Sequence, residues 1–308
     1  DWQNKVFGEI GFLTSQNIII KGGNEKTDFR INYTYDDNNG IMVGSNLEKH
    51  SAGINLNTKL SNRCKIEINT TYIHKKSLGA GTSSEGSTST SRLKNAVTYA
   101  PLDCLAFSNL DDATYETGSS LYDPLSIIND DYRKMTSTLL RGNVALSLFF
   151  LLQKNLIWRN ELSGCGENDE TQRGYGITTS QAQQYGQQPL AYILNEENNK
   201  LREMSSLTFD RQLNKSNNIK LMIGEELSET NKNYTYNESR YFPTYISPKE
   251  ALASMSLGTA QPISTYTYPA DRMFSLFCRT NYSYEGKYLA AITFRSDRSS
   301  KFADGHQW

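Results

Sequence analysis

Apolar and polar residues alternate along much of the chain with the two-residue period of a β-strand. In one window, Phe29, Ile31, Tyr33 and Tyr35 are separated by single polar residues. The same alternation recurs in windows at 54–60, 64–72, 140–150, 274–284 and 288–294. Matching such windows along the sequence predicts an all-β fold with about ten strands.

The polar face of these windows carries charged and amide side chains, such as Arg30, Asn32, Lys65 and Glu67. A soluble β-sandwich also alternates, with its apolar face directed into the core. In an outer-membrane barrel the apolar face meets lipid, and the polar face lines the lumen. Alternation alone is therefore compatible with both architectures.

The lengths of the connections separate these two architectures. Short turns are predicted at 61–63, 153–155, 214–217 and 285–287. Long polar segments alternate with them at 76–135, 164–200 and 231–270, with a shorter loop at 36–46. Outer-membrane barrels combine short periplasmic turns with long extracellular loops, whereas a soluble sandwich has no reason to place every long loop at one end. The sequence thus predicts a partial antiparallel transmembrane β-barrel.

Composition fits strands that have one wet face and one apolar face. Only 37% of the 308 residues are hydrophobic, yet 11% are aromatic, whereas disordered chains are poor in aromatics. Aromatics near predicted strand ends suit the interfacial girdles of a membrane protein, with core aromatics of a soluble β-protein as the alternative. These aromatics are Tyr33, Tyr35, Tyr72, Trp158, Tyr282, Tyr284 and Tyr288.

Charge and cysteine usage exclude several classes of protein. The net charge of −1, without a basic block, gives no support for a nucleic-acid partner. Cys64, Cys104, Cys165 and Cys278 are widely spaced and form no Cys-x-x-Cys pair, which argues against a zinc ribbon or a disulfide scaffold. Cys64 and Cys278 lie in strand windows, so we interpret them as buried or lipid-facing thiols. The sequence contains no run of 18 apolar residues, so no transmembrane helix is predicted.

Motifs for catalysis are not found, and the chain is not expected to be an enzyme. His50, His74 and His306 share no metal-ligand spacing, and neither a Gly-x-Ser-x-Gly elbow nor a P-loop occurs. No catalytic, cofactor-binding or metal-binding residue is therefore predicted. Carboxylates at 111–112 and in 129–131 offer oxygen ligands for calcium, although such runs usually only solvate a loop.

Substrate contacts are expected on loops and lumen-facing residues, and the sequence assigns them to no single position. The Gly/Ser/Thr-rich segment 79–91 and the Gln-rich segment 181–188 are predicted to be solvated loops. Loop tyrosines are candidates for stacking on sugar rings, with packing of the loops against one another as the alternative. These tyrosines are Tyr115, Tyr122, Tyr175 and Tyr185.

Three stretches resemble the SusC/RagA family of TonB-linked outer-membrane transporters. The opening, with Asp1-Trp2-Gln3 followed by Val6-Phe7, looks like the start of the family's barrel after its plug. The segment 22–35, with Gly22-Gly23 and Lys26-Thr27 at its turn, resembles a hairpin of the family. The most specific stretch runs from Tyr282 to the end of the chain, and its motif residues are Asp297, Ser299, Ser300, Lys301, Phe302 and Trp308.

The order and spacing of these stretches also match, so the resemblance covers nearly the whole chain. One position departs from the family pattern, which usually has Gly between the Asp and the Ser pair. This chain has Arg298 there. Because Gly readily adopts a positive φ that Arg adopts reluctantly, we expect the local turn to differ.

The resemblance implies that residues 1–308 are a segment of a plugged barrel of roughly 22 strands in a Bacteroidetes-type outer membrane. It implies uptake of bulky nutrients, either oligosaccharides or peptides. The implied partners are a SusD-like surface lipoprotein and the TonB complex acting on the plug, and no cofactor is implied. The plug, the TonB box and the first and final barrel strands are expected to lie outside this chain, which would not close a barrel alone.

Two other functions remain open from the residues themselves. A soluble all-β glycan-binding or adhesion module would account for the high polarity, and it would fold without detergent. An outer-membrane barrel hydrolase would need a Ser/His/Asp constellation at a loop-facing strand end. The three scattered histidines give that second alternative little support.

Overall fold

A computed structural model describes residues 1–79, 81, 96–97, 99, 122–150, 155–303 and 305–308. Its strands form one antiparallel sheet, in which ten strands follow one another in chain order and two short strands, β9 and β10, pair with β8. The strands are β1 (Phe12–Gly23), β2 (Thr27–Asn39), β3 (Asn46–Ser61), β4 (Cys64–Leu78), β5 (Asp131–Phe149), β6 (Leu156–Tyr175), β7 (Leu190–Gln212), β8 (Asn217–Arg240), β9 (Thr259–Ala260), β10 (Ser264–Thr267), β11 (Asp271–Tyr284) and β12 (Tyr288–Ser299).

Among the described residues, one short α-helix precedes β1 and three lie in the connections, with a 3-10 turn at Met255–Leu257. The α-helices are α1 (Trp2–Phe7), α2 (Pro124–Asn129), α3 (Ser180–Gln184) and α4 (Pro248–Ala253). Within the described ranges, none of the helices has the length and apolar character needed to span a membrane. The predicted all-β antiparallel architecture with about ten strands is confirmed, and in the described sheet β1 and β12 are the unpaired ends.

Short and long connections lie at opposite edges of the sheet. One edge, here called the turn edge, carries the short connections 24–26, 62–63, 213–216 and 285–287. The other edge, here called the loop edge, carries the longer connections 40–45, 79–130, 176–189 and 241–270. This segregation confirms the predicted alternation of short and long connections.

The predicted long loops were nevertheless wrong in their bounds. Strand β6 continues to Tyr175 and β7 begins at Leu190, so much of the segment 164–200 is paired sheet. Strand β8 likewise extends to Arg240, inside the predicted loop 231–270. The ends of β6 and β8 are largely polar, and β7 begins with the continuous apolar run 190–194. None of these ends shows the apolar alternation, although the backbone pairs.

One face of the sheet, here called the outer face, presents apolar side chains in continuous rows. Cross-strand register aligns Leu56 with Ile68, Ile68 with Val144, and Val144 with Leu162. A second row crosses β4 to β12 through Cys64, Leu148, Trp158, Leu207, Ile223, Cys278 and Phe294. Large residues of this face are exposed, with Ile223 at 48%. A soluble sandwich would bury such rows against a second layer, which the described sheet lacks.

The aromatic residues of the outer face lie at different levels of the strands. Tyr282, Tyr284 and Tyr288 lie beside the turn 285–287, and Trp158 lies close to the start of β6, within the second apolar row. Tyr33 and Tyr72 lie in the middle of β2 and β4. The interfacial girdles stay a prediction.

Buried apolar clusters form where connections cover the loop edge. Val6 of α1 packs with Met42 and Ile128. Phe242 and Ala251 bury Ala191 of β7 under α4. Because the sheet has a single layer, these small clusters occur only where a helix or loop lies over it.

Candidate functional site

The opposite face of the sheet, here called the inner face, is polar and concave. At its loop-edge half it encloses a cavity of about 1010 Å³, walled chiefly by β6, β7 and β8. The two-residue period sends alternate side chains of each strand into this cavity. Cross-strand pairing then arranges those side chains in rows that run across the strands.

The upper row of the cavity, nearest the loop edge, joins acidic and aromatic side chains. Asp169 on β6 pairs in register with Glu196 on β7, and Glu196 pairs with Tyr234 on β8. Tyr234 in turn lies opposite Tyr266 on β10. Carboxylates and phenol rings therefore share one level of the wall.

Three tyrosines form an aromatic cluster beside these carboxylates. The ring centroids of Tyr266 and Tyr268 are 4.6 Å apart in an edge-to-face arrangement. The Tyr234 ring lies 6.1 Å from Tyr266 and 6.4 Å from Tyr268. Since Tyr266 and Tyr268 are each 47% exposed, their faces remain available for contact with a ligand.

The next two rows toward the turn edge change in charge. The middle row places Glu167 opposite Asn198, and Asn198 opposite Lys232. The lower row joins Arg141, Cys165 and Lys200. Cationic side chains thus replace carboxylates as the wall descends from the loop edge.

Below the cavity, ion pairs of alternating sign cross the inner face from β4 to β12. Arg159 bridges Glu67 and Glu161, its Nη2 lying 3.2 Å from Glu161 Oε2. Arg202 lies between Glu161 and Glu226, with Nε 2.8 Å from Glu226 Oε1. Arg295 on β12 extends the chain of charges, 3.4 Å from Glu226 and 2.7 Å from Asp297. Each charge has an opposite partner, so this band stabilises the wall and leaves little free charge.

The family-motif residues predicted from the sequence lie at the loop end of β12 and bind it to β11. Asp297 accepts a hydrogen bond from Arg295. Ser300 exchanges hydrogen bonds with Arg272, from its own N–H to the Arg272 carbonyl and from the Arg272 N–H to its Oγ, both 2.9 Å. Lys301 Nζ lies 2.8 Å from Asp271. These contacts assign the polar part of the motif a structural role.

The remaining motif residues form the end of the same β11–β12 unit. The Ser299 N–H donates to the Gln307 carbonyl at 2.9 Å. Trp308 meets Phe274 edge to face at 5.9 Å, and Phe302 is 62% exposed. Arg298 lies within β12 and donates to the Gln307 side chain.

Arg298 itself does not adopt the positive φ that a glycine would allow at this position. Within the described ranges, Gln187, Tyr241 and Glu285 are the non-glycine residues with positive φ, and Arg298 is not among them. Arg298 is an ordinary strand residue, so a glycine's conformational freedom is not needed at this position.

The loop tyrosines proposed for sugar stacking lie in different structural environments. Tyr175 is 2% exposed and packs in a cluster with Leu190 and Tyr192, so it is not available to a ligand. Tyr185 lies under the Arg240 guanidinium, 4.5 Å from it. Tyr122 precedes α2, and Tyr115 lies outside the described residues. The aromatic cluster of the cavity was missed because Tyr234, Tyr266 and Tyr268 fall in a segment predicted to be a loop.

Two of the histidines lie closer together than their positions in the sequence suggest. His50 and His74 are direct cross-strand neighbours, which their sequence spacing concealed. His50 is engaged by Tyr33 and Glu48, whereas His74 is hydrogen-bonded to Thr138. In the parts of the chain that the structure describes, no group of three His, Cys, Asp or Glu side chains is placed to hold a metal ion.

The acidic segment 129–131, considered for calcium, uses its carboxylates within the protein. Asp130 accepts hydrogen bonds from the Thr178 N–H at 3.1 Å and from the Thr178 hydroxyl at 2.8 Å. Asp131 pairs with Arg173. The other acidic pair, 111–112, and Cys104 lie outside the described residues.

Of the described cysteines, Cys64 and Cys278 lie on the outer face and are partly exposed free thiols, as interpreted from the sequence. Cys165 lies on the inner face, in the cavity wall. Several polar residues interrupt the outer-face pattern, among them Asn160 and Glu203. Asn160 and Glu203 fall between apolar neighbours there, and the Asn160 amide donates to the Glu203 carboxylate.

Comparison with characterised proteins agrees with this two-faced sheet. The chain is 24% identical over 327 residues to the TonB-dependent receptor SusC of Bacteroides thetaiotaomicron, and 22% identical over 313 residues to TonB-dependent receptor P3 of Formosa agariphila. Each alignment covers 100% of this chain but only 31% and 30% of the respective relative. The chain thus spans about a third of the length of these relatives. No family model matches the sequence.

Solved structures show the same fold. The RagAB peptide importer in its open-open state superposes with a TM-score of 0.77 over 100% of this chain and 33% of that chain, at 16% identity. The siderophore receptor PiuA from Acinetobacter baumannii superposes at 0.51, at 12% identity. The sheet is therefore similar over its whole length to the barrel of SusC/RagA-type TonB-dependent transporters, which confirms the resemblance found in the sequence.

Proposed function

We propose that the chain is part of the barrel wall of an outer-membrane TonB-dependent transporter that imports bulky nutrients, either oligosaccharides or peptides. The observation that carries this proposal is the sidedness of one continuous sheet. Apolar rows with exposed residues such as Ile223 and Ile292 occupy the outer face, and a charged wall with a cavity of about 1010 Å³ occupies the inner face. Lipid on one side and an aqueous path on the other account for both.

The proposal also covers the location in the outer membrane and two partners, a surface lipoprotein and the TonB complex. A SusD-like surface lipoprotein would close over the loop edge, and the TonB complex would act through the plug of the transporter. Support comes from the similarity to SusC and from the RagAB fold. The segment 1–308 acts as wall in this scheme and carries out no chemical reaction on the substrate.

The alternative of a soluble glycan-binding or adhesion module is disfavoured by the outer face. Leu140, Val144, Leu162 and Leu201 are all about half exposed on adjoining strands. Contiguous exposed apolar surface of this extent makes a soluble protein aggregate unless something covers it. Lipid provides that cover in a barrel wall.

The test uses the protein that contains this chain, in its host. Outer-membrane and soluble fractions are probed for the protein, and uptake of labelled oligosaccharide and peptide mixtures is compared between wild-type and gene-deletion cells, with and without a protonophore. We expect the protein in the outer membrane and a gene-dependent uptake that the protonophore abolishes. Recovery in the soluble fraction, or uptake indifferent to the deletion, would reject the proposal.

A further inference from the structure

The charges in the inner-face cavity are graded along the strands. The upper row has two carboxylates, Asp169 and Glu196. The lower row has two cations, Arg141 and Lys200. The unpaired charges of these two rows thus have opposite signs. The cavity is therefore polarised, negative toward the loop edge and positive toward the turn edge.

The charges between and beside these rows do not disturb the gradient. In the middle row, Glu167 and Lys232 have opposite signs. In the lower row, Asp271 is neutralised by Lys301, 2.8 Å away. Arg202, one row further down, is held by Glu226. The two end rows thus determine the polarity.

The end-row charges are not paired with one another or with other charges of the described residues. In the described part of the chain, Asp169, Glu196, Arg141 and Lys200 form no ion pair. Asp169 Oδ1 is buried and accepts no hydrogen bond there, and the same is true of Asn198 Oδ1 in the row below. Buried acceptors without donors are costly, so this level of the wall is short of hydrogen-bond donors.

The separation of the two rows sets the length of a ligand that satisfies both. Asp169 and Cys165, which mark the upper and lower rows on β6, are four residues apart in the strand. At the rise of a β-strand this is about 13 Å. An extended tetrapeptide has its terminal ammonium and carboxylate about that far apart, because its backbone has the same rise per residue.

We propose that this wall binds a short extended peptide with free termini, its ammonium at Asp169 and Glu196 and its carboxylate at Arg141 and Lys200. The inference rests on the proposed transport function and selects peptides from its two substrate classes. Tyr234 and Tyr268 line the same cavity and offer ring faces to the peptide's side chains. A neutral oligosaccharide would cover the same charges without neutralising them, which disfavours it here.

The test is a competition for the purified full-length transporter. A pool of tetrapeptides built from uncharged residues is offered in free, N-acetylated and C-amidated forms together with a neutral tetrasaccharide, and the retained molecules are quantified by mass spectrometry. Free peptides should be retained about ten- to a hundredfold better than either blocked form, the range for one charged hydrogen-bonded contact. Equal retention of the three forms, a preference for the tetrasaccharide, or no retention of any peptide would overturn the inference.

Variants that remove charge test which row of the cavity binds which terminus of the peptide. The double variant Asp169→Asn, Glu196→Gln should lose the preference for a free amino terminus and keep that for a free carboxylate, and Arg141→Gln, Lys200→Met should do the reverse. The retained preference shows in each case that the protein is folded. The matched control is Glu225→Gln, which removes a carboxylate from the outer-facing position of β8. If the control abolished either preference, or the double variants lost neither, the assignment would fail.

Failure of the peptide-binding inference can be distinguished from failure of the transport proposal. If gene-dependent uptake is observed in cells but the blocked and free peptides compete equally, the transport function stands and the charge-polarised site is rejected. If cells show no gene-dependent uptake, the transport function is rejected whatever the purified protein retains.

Discussion

Arg173 on β6 donates two hydrogen bonds of 3.0 Å to the carboxylate of Asp131 on β5, and the two side chains are only 3% and 4% exposed. The pair lies at the loop edge, where β5 begins and β6 ends. It fixes the register of the two strands in a region where the apolar alternation no longer does so. A bidentate pair of this kind is geometrically demanding, since both oxygens and both nitrogens must align.

Removing one partner of this pair should destabilise the loop edge strongly. Asp131→Asn leaves a buried guanidinium without its counter-charge, and we expect a loss of about 3–5 kcal/mol. The measurement is urea unfolding of the detergent-folded protein. The double variant Asp131→Leu, Arg173→Met is the control, because replacing both charges by apolar groups should cost far less. Equal losses in the single and double variants would show that the charge pairing is not the reason.

An arginine introduced at either of two adjacent positions on β8 should affect stability differently. Ile223 lies on the outer face and Met222 on the inner face. Ile223→Arg should destabilise the membrane-folded protein by about 2–4 kcal/mol, the cost of a cation at the bilayer midplane, whereas Met222→Arg should be tolerated. Folded yield in the outer membrane and unfolding in detergent-free vesicles measure this. Similar losses at both positions would contradict the assignment of the faces.

The natural cysteines provide a second test of sidedness. Cys165 lies in the wall of the inner cavity, whereas Cys278 lies among the apolar residues of the outer face. In variants that retain one cysteine each, a membrane-impermeant maleimide should label Cys165 in purified, detergent-free vesicles much faster than Cys278. A lipid-soluble maleimide should reverse the preference. Faster labelling of Cys278 by the impermeant reagent would place that face in water.

The capping box of α4 should make the packing of this helix over β7 sensitive to acid. Ser247 Oγ accepts from the Glu250 N–H, and the Glu250 carboxylate accepts from the Ser247 N–H at 3.0 Å. The carboxylate also accepts from the Ser247 hydroxyl at 2.7 Å, and this bond, followed by the one from the Ser247 N–H, lowers the pKa of Glu250. A carboxylate whose pKa is lowered on folding adds stability above its unfolded pKa and loses it as the pH falls through the folded pKa.

Hydrogen exchange of the α4 amides measures this effect. Protection should be full at neutral pH and should fall below about pH 4, the unfolded range of a glutamate. Glu250→Gln should reduce the protection at neutral pH and remove most of its pH dependence. Lys249, exposed on the same helix, provides the matched control as Lys249→Gln. An unchanged acid response in Glu250→Gln would assign the effect to other carboxylates.

The sequence alone determined the class of fold and the sidedness of its strands. Alternation at 29–35 or 288–294 has a physical cause that is local, because successive side chains of a strand point to opposite faces. The positions of the short turns followed from the same local pattern, as at 214–217 and 285–287. The family resemblance added the identity of the barrel, which the whole-chain similarity to SusC confirms.

Only the tertiary structure decided how far the strands extend and which charges meet. The paired ends of β6 and β8 are largely polar, and that of β7 begins with the apolar run 190–194, so none of them carries the alternation. Pairing with a neighbouring strand is what makes them sheet. The rows that join Asp169 to Glu196, or Arg141 to Lys200, depend on cross-strand register between residues far apart in the chain. Register is set by the turns and by burial of one face across all the strands together, and no single segment of sequence contains that information.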